Sequence, residues 1–377
     1  MSKSSSDAFD VIVVGGGIVG SSIAWGLAKL GQKVAVLDEG DDAYRASRGN
    51  FALIWVQSKG LGMPAYAAWT VRSARAWPGF AEELRQQTGF DLSLQQNGGF
   101  QLALSEPELE TRAQRLRRLQ DQPDMPRYGC EILPSEKIRA MLPAIGPQVV
   151  GGSYCPLDGH VNSLRLFRAL HAGMQEFGTE YRPNHNVDRI ECSNGEFRIH
   201  SAGRELRSGR LVLAAGLGNR RLAPMVGLDA PVRPQRGQLI VTEKTMPFLP
   251  HPIVTIRQAD EGGVMIGDSH EEAGFDSDLR TQVLSVMADR AIRMFPVLAG
   301  LNVVRSWAAL RVMTKDGFPV YEQSETCPGA FIATCHSGIT LAASHALILP
   351  RWIVQGERPA KDFGAFSARR FHVPSTA

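Results

Sequence analysis

The spacing of apolar residues changes twice within the first forty positions of the chain. Residues 9–14 form a short apolar run rich in β-branched side chains, and residues 33–38 form a second one. Between them, apolar residues recur at helical spacing from 18 to 30. Because short apolar runs are typical of buried strands, this pattern predicts a strand–turn–helix–strand unit and a parallel sheet.

The rest of the chain alternates between helical and strand-like patterns. The sequence predicts helices at 65–87, 106–121, 162–177, 279–295 and 338–349, and strands at 210–215, at 330–334 and within 231–270. Residues 90–104 carry the turn Asn97-Gly98-Gly99 between two apolar stretches, which predicts a β-hairpin. Since parallel-sheet and hairpin signals alternate along the chain, we expect an α/β fold of two interleaved domains.

The predicted helix at 106–121 also carries Arg112, Arg115, Arg117 and Arg118. We interpret these arginines as a solvated face beside the leucines of the same helix. The chain has 41 Lys and Arg residues against 38 Asp and Glu residues. This even balance gives no case for a nucleic-acid partner.

The turn after the first predicted strand holds the strongest chemical signal. Residues 15–20 read GGGIVG, which matches G-x-G-x-x-G, and Asp38 ends the next strand 23 residues after Gly15. Gly15 permits the tight turn, Gly17 lets the backbone approach a pyrophosphate, and Gly20 allows close helix–sheet packing. The helix N-terminus offers N–H groups to phosphates, and the Asp38 carboxylate can accept from ribose hydroxyls. The motif predicts a dinucleotide site but does not decide between NAD and FAD.

The cysteines and the apolar runs bear on metals and on location. The five cysteines are scattered, and none lies at zinc or iron–sulfur spacing, so we expect no metal site. An odd, scattered set is typical of reduced thiols in a cytoplasmic protein. The polar N-terminus does not resemble a secretory signal, and no clean run of about 20 apolar residues predicts a transmembrane helix.

Four further segments follow in order: RASRGN at 45–50, LAAG at 213–216, LRVMTKDGFP at 310–319 and HSGITLA at 336–342. Together with the glycine turn, they resemble the D-amino-acid oxidase-like FAD-dependent oxidoreductases, which include glycine oxidase and sarcosine oxidase. The resemblance extends over nearly the whole chain and favours FAD. Sarcosine oxidases attach FAD through a cysteine just after the segment around Arg311. Here that stretch is Val312, Met313 and Thr314, so we expect FAD to be bound non-covalently.

The resemblance implies a Rossmann-type FAD-binding domain interleaved with a smaller α+β substrate domain built on an antiparallel or mixed sheet. We expect the FAD-binding domain at 1–85, 150–225 and 320–377, and the substrate domain at 86–149 and 226–319. The residues expected at the cofactor are Gly15, Gly17, Ile18, Val19, Gly20, Asp38, Glu39, Ser47, Arg48, Gly49, Asn50, Val187, Ala215, Gly216, Gly338, Ile339 and Thr340.

The same resemblance supplies two catalytic candidates. Arg311 stands where glycine oxidase-like enzymes place the arginine that clamps a substrate carboxylate, which an arginine can do bidentately. A structural ion pair or a contact to FAD are the alternatives for this residue. His336 is the candidate that assists the amine in losing a proton, or else it contacts the flavin or is a packed residue. The helix that begins near Gly338 is expected to stabilise negative charge on the reduced flavin.

A narrower resemblance concerns RASRGNFALIWVQSKG and GDSHEEAGFD. These stretches look like the FAD-bearing β subunits of heteromeric dehydrogenases, such as those of hydrogen cyanide synthase, opine oxidases and D-hydroxyproline dehydrogenase. The resemblance implies oxidation of a secondary amine, with electrons passing to partner subunits that carry further redox centres or share an FMN. Such a partner or acceptor would connect a cytoplasmic chain to the inner membrane.

Three other functions stay open at this point. One is a free-standing oxidase that uses O₂, and another is a non-catalytic FAD-binding subunit. The third is an NAD-dependent dehydrogenase, in which the segments around Arg311 and His336 would have no role.

Overall fold

A computed structural model describes residues 7–40, 45–267 and 269–372 of the chain. The polar N-terminal residues 1–6 and Asp268 of the GDSHEEAGFD stretch lie outside the described residues, as do 41–44 and 373–377. The strands are β1 (Ala8–Val14), β2 (Val34–Leu37), β3 (Leu53–Ile54), β4 (Gly99–Ala103), β5 (Glu131–Pro134), β6 (Gly151–Cys155), β7 (Gly159–His160), β8 (Glu180–Arg182), β9 (Val187–Ser193), β10 (Glu196–Ser201), β11 (Arg204–Leu213), β12 (Val232–Lys244), β13 (Ile256–Gln258), β14 (Gly263–Ile266), β15 (Val303–Thr314), β16 (Val320–Gln323) and β17 (Ala330–Thr334). The helices are α1 (Ile18–Lys29), α2 (Pro64–Thr88), α3 (Glu106–Gln120), α4 (Ser135–Met141), α5 (Ser163–Glu176), α6 (Asn219–Leu222), α7 (Thr281–Met294), α8 (Gly338–Leu347) and α9 (Leu349–Gln355).

The largest sheet confirms the predicted parallel unit at the N-terminus. Its strands follow the order β16-β17-β11-β1-β2-β8, and β1 pairs in parallel with both β2 and β11. All four residues of β2 are buried, as are the last four of β1. Strands that are buried on both faces are typical of parallel sheets covered by helices, and here α1 and α8 pack against each other beside the sheet.

A second, antiparallel sheet has the strand order β13-β14-β12-β15. It confirms the strands expected within 231–270 and gives the chain its mixed α/β architecture. Its long strands β12 and β15 pair so that Gln235 lies opposite Arg311. The pairing therefore fixes the position of Arg311 within the sheet. The exact boundaries of the two domains stay a prediction.

The predicted hairpin at 90–104 is wrong. Strand β4 pairs with β6, which lies about fifty residues further along the chain, and Gln95 instead exchanges backbone hydrogen bonds with His160. The backbone N–H of Gly98, whose φ is 101°, donates to the carbonyl oxygen of Asp158. The two halves of the segment therefore pair with different long-range partners rather than with each other.

The helix predicted at 338–349 is confirmed as α8 (Gly338–Leu347), and a second helix, α9, follows it directly. The backbone turns at Ile348, with φ −117° and ψ −52°, and α9 begins at Leu349 with Pro350 in its first turn. A proline lacks the backbone N–H of a helix interior and clashes with the preceding turn, but it is well tolerated at a helix start. The change of direction follows from that preference.

Two buried histidines make the fold sensitive to acid. Burial lowers the pKa of His160 and of His345 to about 3 in each case. Both are neutral in the folded state, while the unfolded chain takes up a proton on each below about pH 6.5. Their contribution to stability is therefore complete above about pH 6.5 and is lost as the pH falls towards 3, by at most about 1.4 kcal/mol per pH unit for each histidine.

We expect His345→Gln to reduce this loss. The free energy of unfolding in urea, measured at pH 7 and at pH 5, should fall less in the variant than in the wild type. An equal fall in both proteins would contradict the assignment of the acid sensitivity to His345, and His160→Gln provides an independent second measurement.

Candidate active site

The glycine turn between β1 and α1 is built from close approaches of the backbone. Gly15 has a φ of 104°, and a Cβ there would lie 2.5 Å from the carbonyl oxygen of Ala214. A Cβ on Gly20 would lie 1.9 Å from the carbonyl oxygen of Gly15, and one on Gly17 would lie 2.6 Å from Oγ of Ser47. Gly15 and Gly20 are thus required by the packing of the chain itself. Gly17 instead faces Ser47 of the 45–50 segment.

Asp38 is held against the same turn. Its Oδ2 accepts a hydrogen bond from the backbone N–H of Gly16 at 2.7 Å, and its Oδ1 accepts one from Gly40 at 3.1 Å. Ser47 Oγ accepts from the backbone N–H of Ile18 at 2.9 Å. The turn, the end of β2 and the 45–50 segment therefore form one connected structure, although they are separate in the sequence.

A cavity of about 940 Å³ opens over this turn. Most of the residues predicted for the cofactor line it: Gly15, Gly17, Ile18, Val19, Asp38, Glu39, Ser47, Arg48, Asn50, Val187, Ala215, Gly216, Gly338 and Ile339. The other three predicted residues do not line this cavity. Gly20 packs against Gly15, whereas Gly49 and Thr340 line a neighbouring cavity.

That neighbouring cavity has a volume of about 900 Å³ and extends between the antiparallel sheet, the 50–61 segment and α3. The two cavities share a set of lining residues: Ala46, Asn50, Leu310, Val312, Cys335, His336 and Ile339. They therefore meet at the N-terminus of α8. Both catalytic candidates, Arg311 and His336, line the second cavity, and His336 lies at the junction.

Arg311 is half-buried on β15 and reaches across the sheet. Its Nη1 donates to the carbonyl oxygen of Ser269 at 2.7 Å and to that of Arg236 at 3.3 Å. A Cβ on Gly237 would lie 2.3 Å from Nη1, so the glycine in β12 leaves the space that the guanidinium occupies. The guanidinium is thus placed by backbone groups before any ligand binds.

His336 lies in a cluster of polar groups at the junction. Lys59 Nζ lies 3.1 Å from His336 Nε2 and donates to Ser337 Oγ at 2.9 Å, and Tyr66 also donates to Ser337 Oγ at 2.9 Å. Burial, together with the positive charges of Lys59 and Arg311, lowers the pKa of His336 well below its usual value. The imidazole is therefore neutral near pH 7. The neighbouring thiol of Cys335 is also neutral, because burial raises its pKa to about 12.

The sequence patterns did not single out Lys59 or Tyr66. Lys59 lies within the QSKG end of the stretch that resembles the β subunits, but no spacing rule marks it, and Tyr66 belongs to the buried face of α2. Tyr66 reaches Ser337 because α2 packs against α8, and Lys59 reaches His336 and Ser337 from the loop that precedes α2.

Arg112 corrects the interpretation of the arginines in α3. Its side chain is buried, whereas Arg115, Arg117 and Arg118 are exposed as expected. Its guanidinium bonds to Ser153 on β6 and to Gln57. The signal was present in the spacing, since residues 112, 116 and 119 fall on one helical face and are the buried residues of α3. Arg112 lines the second cavity together with Arg115.

The junction fits a flavin ring. Asn50 lines both cavities, and its Oδ1 is buried without a hydrogen-bond partner among the described residues, while its Nδ2 donates to the carbonyl oxygen of Ser47 at 2.7 Å. A buried acceptor is costly unless it is satisfied, and a flavin ring carries an N–H donor. The glycine turn, Asp38 and Asn50 would thus hold the phosphate, ribose and ring portions of one extended cofactor.

A family model described as "FAD dependent oxidoreductase" (DAO) matches residues 10–352. The chain belongs to this family. It is 50% identical over 364 residues to the opine oxidase subunit designated B in Agrobacterium tumefaciens (strain Ach5), covering 97% of this chain and 98% of that protein. It is 47% identical to the corresponding opine oxidase subunit of Rhizobium meliloti, covering 96% and 97%. Among solved structures, glycine oxidase from Geobacillus kaustophilus superposes with a TM-score of 0.85 at 25% identity, covering 96% of this chain and 98% of that one.

These findings confirm the predicted family and cofactor class. The protein is an FAD-dependent oxidoreductase related to these opine oxidase subunits and to glycine oxidase. They also decide between FAD and NAD, which the glycine motif alone left open. Within the described residues, every helix is too short or too polar to cross a membrane.

Proposed function

We propose that this protein oxidises a secondary amine that carries a carboxylate, of the opine type, and that it works as the FAD-bearing subunit of a heteromeric dehydrogenase. The observation that carries the proposal is the junction of the two cavities. There the family's cofactor would meet the second cavity, which is lined by Arg311 and is called the substrate chamber below. The names of the two relatives at 50% and 47% identity support the substrate class and the subunit role.

Each side chain at the junction has a separate task in this proposal. Arg311 binds the substrate carboxylate and sets the distance between the amine and the cofactor. Bound FAD supplies the hydride acceptor, and the protein binds, orients and excludes water. The amine loses a hydride from carbon and a proton from nitrogen, which leaves a C=N bond that water hydrolyses.

The low pKa of His336 argues against a role as the proton acceptor, since a neutral imidazole of low pKa is a weak base. We propose that His336 instead contacts the cofactor and the Lys59 ammonium, and that solvent accepts the amine proton. The N–H groups in the first turn of α8, around Gly338 and Ile339, would face negative charge on the reduced cofactor.

Electrons would leave through a partner. The relatives are named as subunits, so we propose partner subunits with further redox centres, or an FMN shared with one of them, in the cytoplasm. A free-standing oxidase that uses O₂ is the second candidate, and glycine oxidase is a structural neighbour that supports it.

The test is anaerobic reduction of the purified yellow protein. We expect absorbance near ~450 nm to bleach with opines and other N-alkyl amino acids that keep a free carboxylate. The same amines as carboxamides should not bleach it. Admission of air then separates the two acceptors, because a dehydrogenase subunit reoxidises slowly until an artificial acceptor is added.

If none of these opines and N-alkyl amino acids bleaches the flavin, even with the partner subunits present, the proposed reaction is wrong and a non-catalytic FAD-binding role is favoured. Rapid reoxidation in air at the turnover rate would support the free-standing oxidase instead.

A further inference from the structure

Arg112 is a buried cation that lies in the wall of the substrate chamber. Its Nε donates to Ser153 Oγ at 2.7 Å, and its Nη2 donates to the carbonyl oxygen and to Oε1 of Gln57 at 3.1 and 2.8 Å. The residue is only 6% exposed. All of these partners are neutral, so hydrogen bonds orient the guanidinium without neutralising its charge.

No carboxylate of the described residues forms an ion pair with Arg112 within 4.0 Å. The carboxylate of Asp158 belongs to the same network but is reached only through Gln57, whose Nε2 donates to Asp158 Oδ2 at 2.7 Å. Burial raises the pKa of Asp158 to about 7, whereas the hydrogen bonds that its two oxygens accept from the backbone N–H of Val56 and from Gln57 favour its ionised form. Asp158 therefore attracts the Arg112 guanidinium only from a distance, and a buried cation is usually paired directly with an ion.

A second arginine of the same chamber shows the contrast. Arg290 on α7 also lines the cavity, but Glu108 pairs with it through both carboxylate oxygens, at 3.0 and 2.7 Å. Arg112 has a weak contact of 3.4 Å from its Nη1 to Ser58 Oγ. Ser58 lines the chamber as well, so this end of the guanidinium faces the cavity.

We propose that Arg112 is the binding site for a second carboxylate of the substrate. Arg311 and Arg112 both line this cavity, on β15 and on α3, and in this proposal each binds one end of an amine that carries a carboxylate on both sides of its nitrogen. The exposed side chain of Arg115 lies about one helical turn away at the same wall and adds positive charge there. This inference rests on the proposed function and deepens it, because it assigns the residue that binds the second carboxylate of an opine-type substrate.

The first test needs no variant and uses two matched amines. In N-(1-carboxyethyl)alanine, a carboxylate stands on each side of the nitrogen. In N-isopropylalanine, a methyl group replaces one of these carboxylates. The holoenzyme should reduce its flavin with the first at a kcat/KM about 10- to 100-fold above that for the second, the range expected for hydrogen bonds to a charged group.

The second test locates that preference. Arg112→Met should reduce the ratio of the two kcat/KM values to about threefold or less. Arg112→Lys should leave an intermediate ratio, because lysine keeps the positive charge but cannot donate two parallel hydrogen bonds to a carboxylate. Arg118→Gln, on the exposed face of the same helix, should keep the wild-type ratio. The flavin spectrum of each variant shows whether the fold is intact, and Arg112→Lys decides if Arg112→Met does not fold.

Three results would contradict the assignment of Arg112 as the binding site for a second carboxylate. One is equal kcat/KM for the two amines in the wild type, and another is a full wild-type ratio in Arg112→Lys. The third is an equal loss on both amines in Arg112→Met with unchanged ratio, which would make Arg112 a structural residue. Bleaching by N-isopropylalanine as fast as by the dicarboxylate would leave the proposed amine oxidation intact, whereas bleaching by neither amine would contradict the proposed function itself.

Discussion

Replacing Gly15 with alanine is expected to give a protein without bound flavin. The new Cβ would lie 2.5 Å from the carbonyl oxygen of Ala214, and the residue would have to keep a φ of 104° that side chains rarely adopt. Relief of this contact requires the turn to move away from the position where it faces the phosphates. The ratio of absorbance near ~450 nm to that near ~280 nm should fall to the background, and added FAD should bind at least about 100-fold more weakly.

A matched glycine controls for the substitution itself. Gly79 lies on the exposed side of α2 with no atom within 4 Å of a new Cβ, so Gly79→Ala should keep the full flavin content. It should also stabilise the fold by about 0.5–1 kcal/mol, because alanine is the better helix former. Wild-type flavin content in Gly15→Ala would contradict the role of the turn.

A second pair of variants tests whether Gly17 is needed to make room for Ser47 or to let the backbone approach the pyrophosphate. In Gly17→Ala the new methyl group meets Ser47 Oγ at 2.6 Å, and Ser47→Ala removes that oxygen. If Gly17 serves the pyrophosphate, the double variant stays deficient in FAD. If it only makes room for Ser47, the double variant regains the cofactor.

Loss of the Arg311 guanidinium is expected to lower kcat/KM for carboxylate-bearing amines by about 10²- to 10³-fold, mainly through a higher KM. Arg311→Met removes a charge that is already oriented by the carbonyl groups of Ser269 and Arg236, so the substrate carboxylate would lose both the charge and the geometry. Steady-state kinetics on the proposed opine, together with the corresponding carboxamide, measures the effect. The two substrates should become nearly equal in the variant.

Arg305→Met is the matched control for this prediction. Arg305 lies on the same strand, is exposed, and stacks on Trp307 outside the two cavities. It should leave kcat/KM within about twofold of the wild type. Near-normal kinetics in Arg311→Met would remove the carboxylate role, and a loss of flavin there would assign Arg311 to the cofactor.

Local sequence was sufficient where residues close together in the chain determine the structure. The β1–α1–β2 unit follows from two short apolar runs, a helical run and the glycines between them, and the structure has the predicted parallel pairing. The antiparallel strands of 231–270 likewise follow from short strand-like runs. Order and spacing of several motifs then indicated the family, which the comparison confirms.

Two predictions failed, each for a different physical reason. The 90–104 segment has the sequence of a hairpin, but β6 offers β4 a better partner than its own neighbour does. Arg112 was predicted to be exposed because it is an arginine. Its position in the helix indicates the opposite, since the spacing places it on the same face as Leu116 and Leu119.

The sequence by itself determined the dinucleotide turn, the family and the presence of Arg311 and His336, because each of these depends on short motifs whose chemistry is local. The tertiary structure alone decided that the two cavities meet at the N-terminus of α8, that Lys59 and Tyr66 join His336 and Ser337 there, and that Arg112 bonds to Ser153 and Gln57 in the wall of the second cavity. The physical reason is that burial and electrostatic environment depend on which distant segments pack together, and the free energy of a charge or a hydrogen bond changes with that environment far more than with the residue's neighbours in the chain.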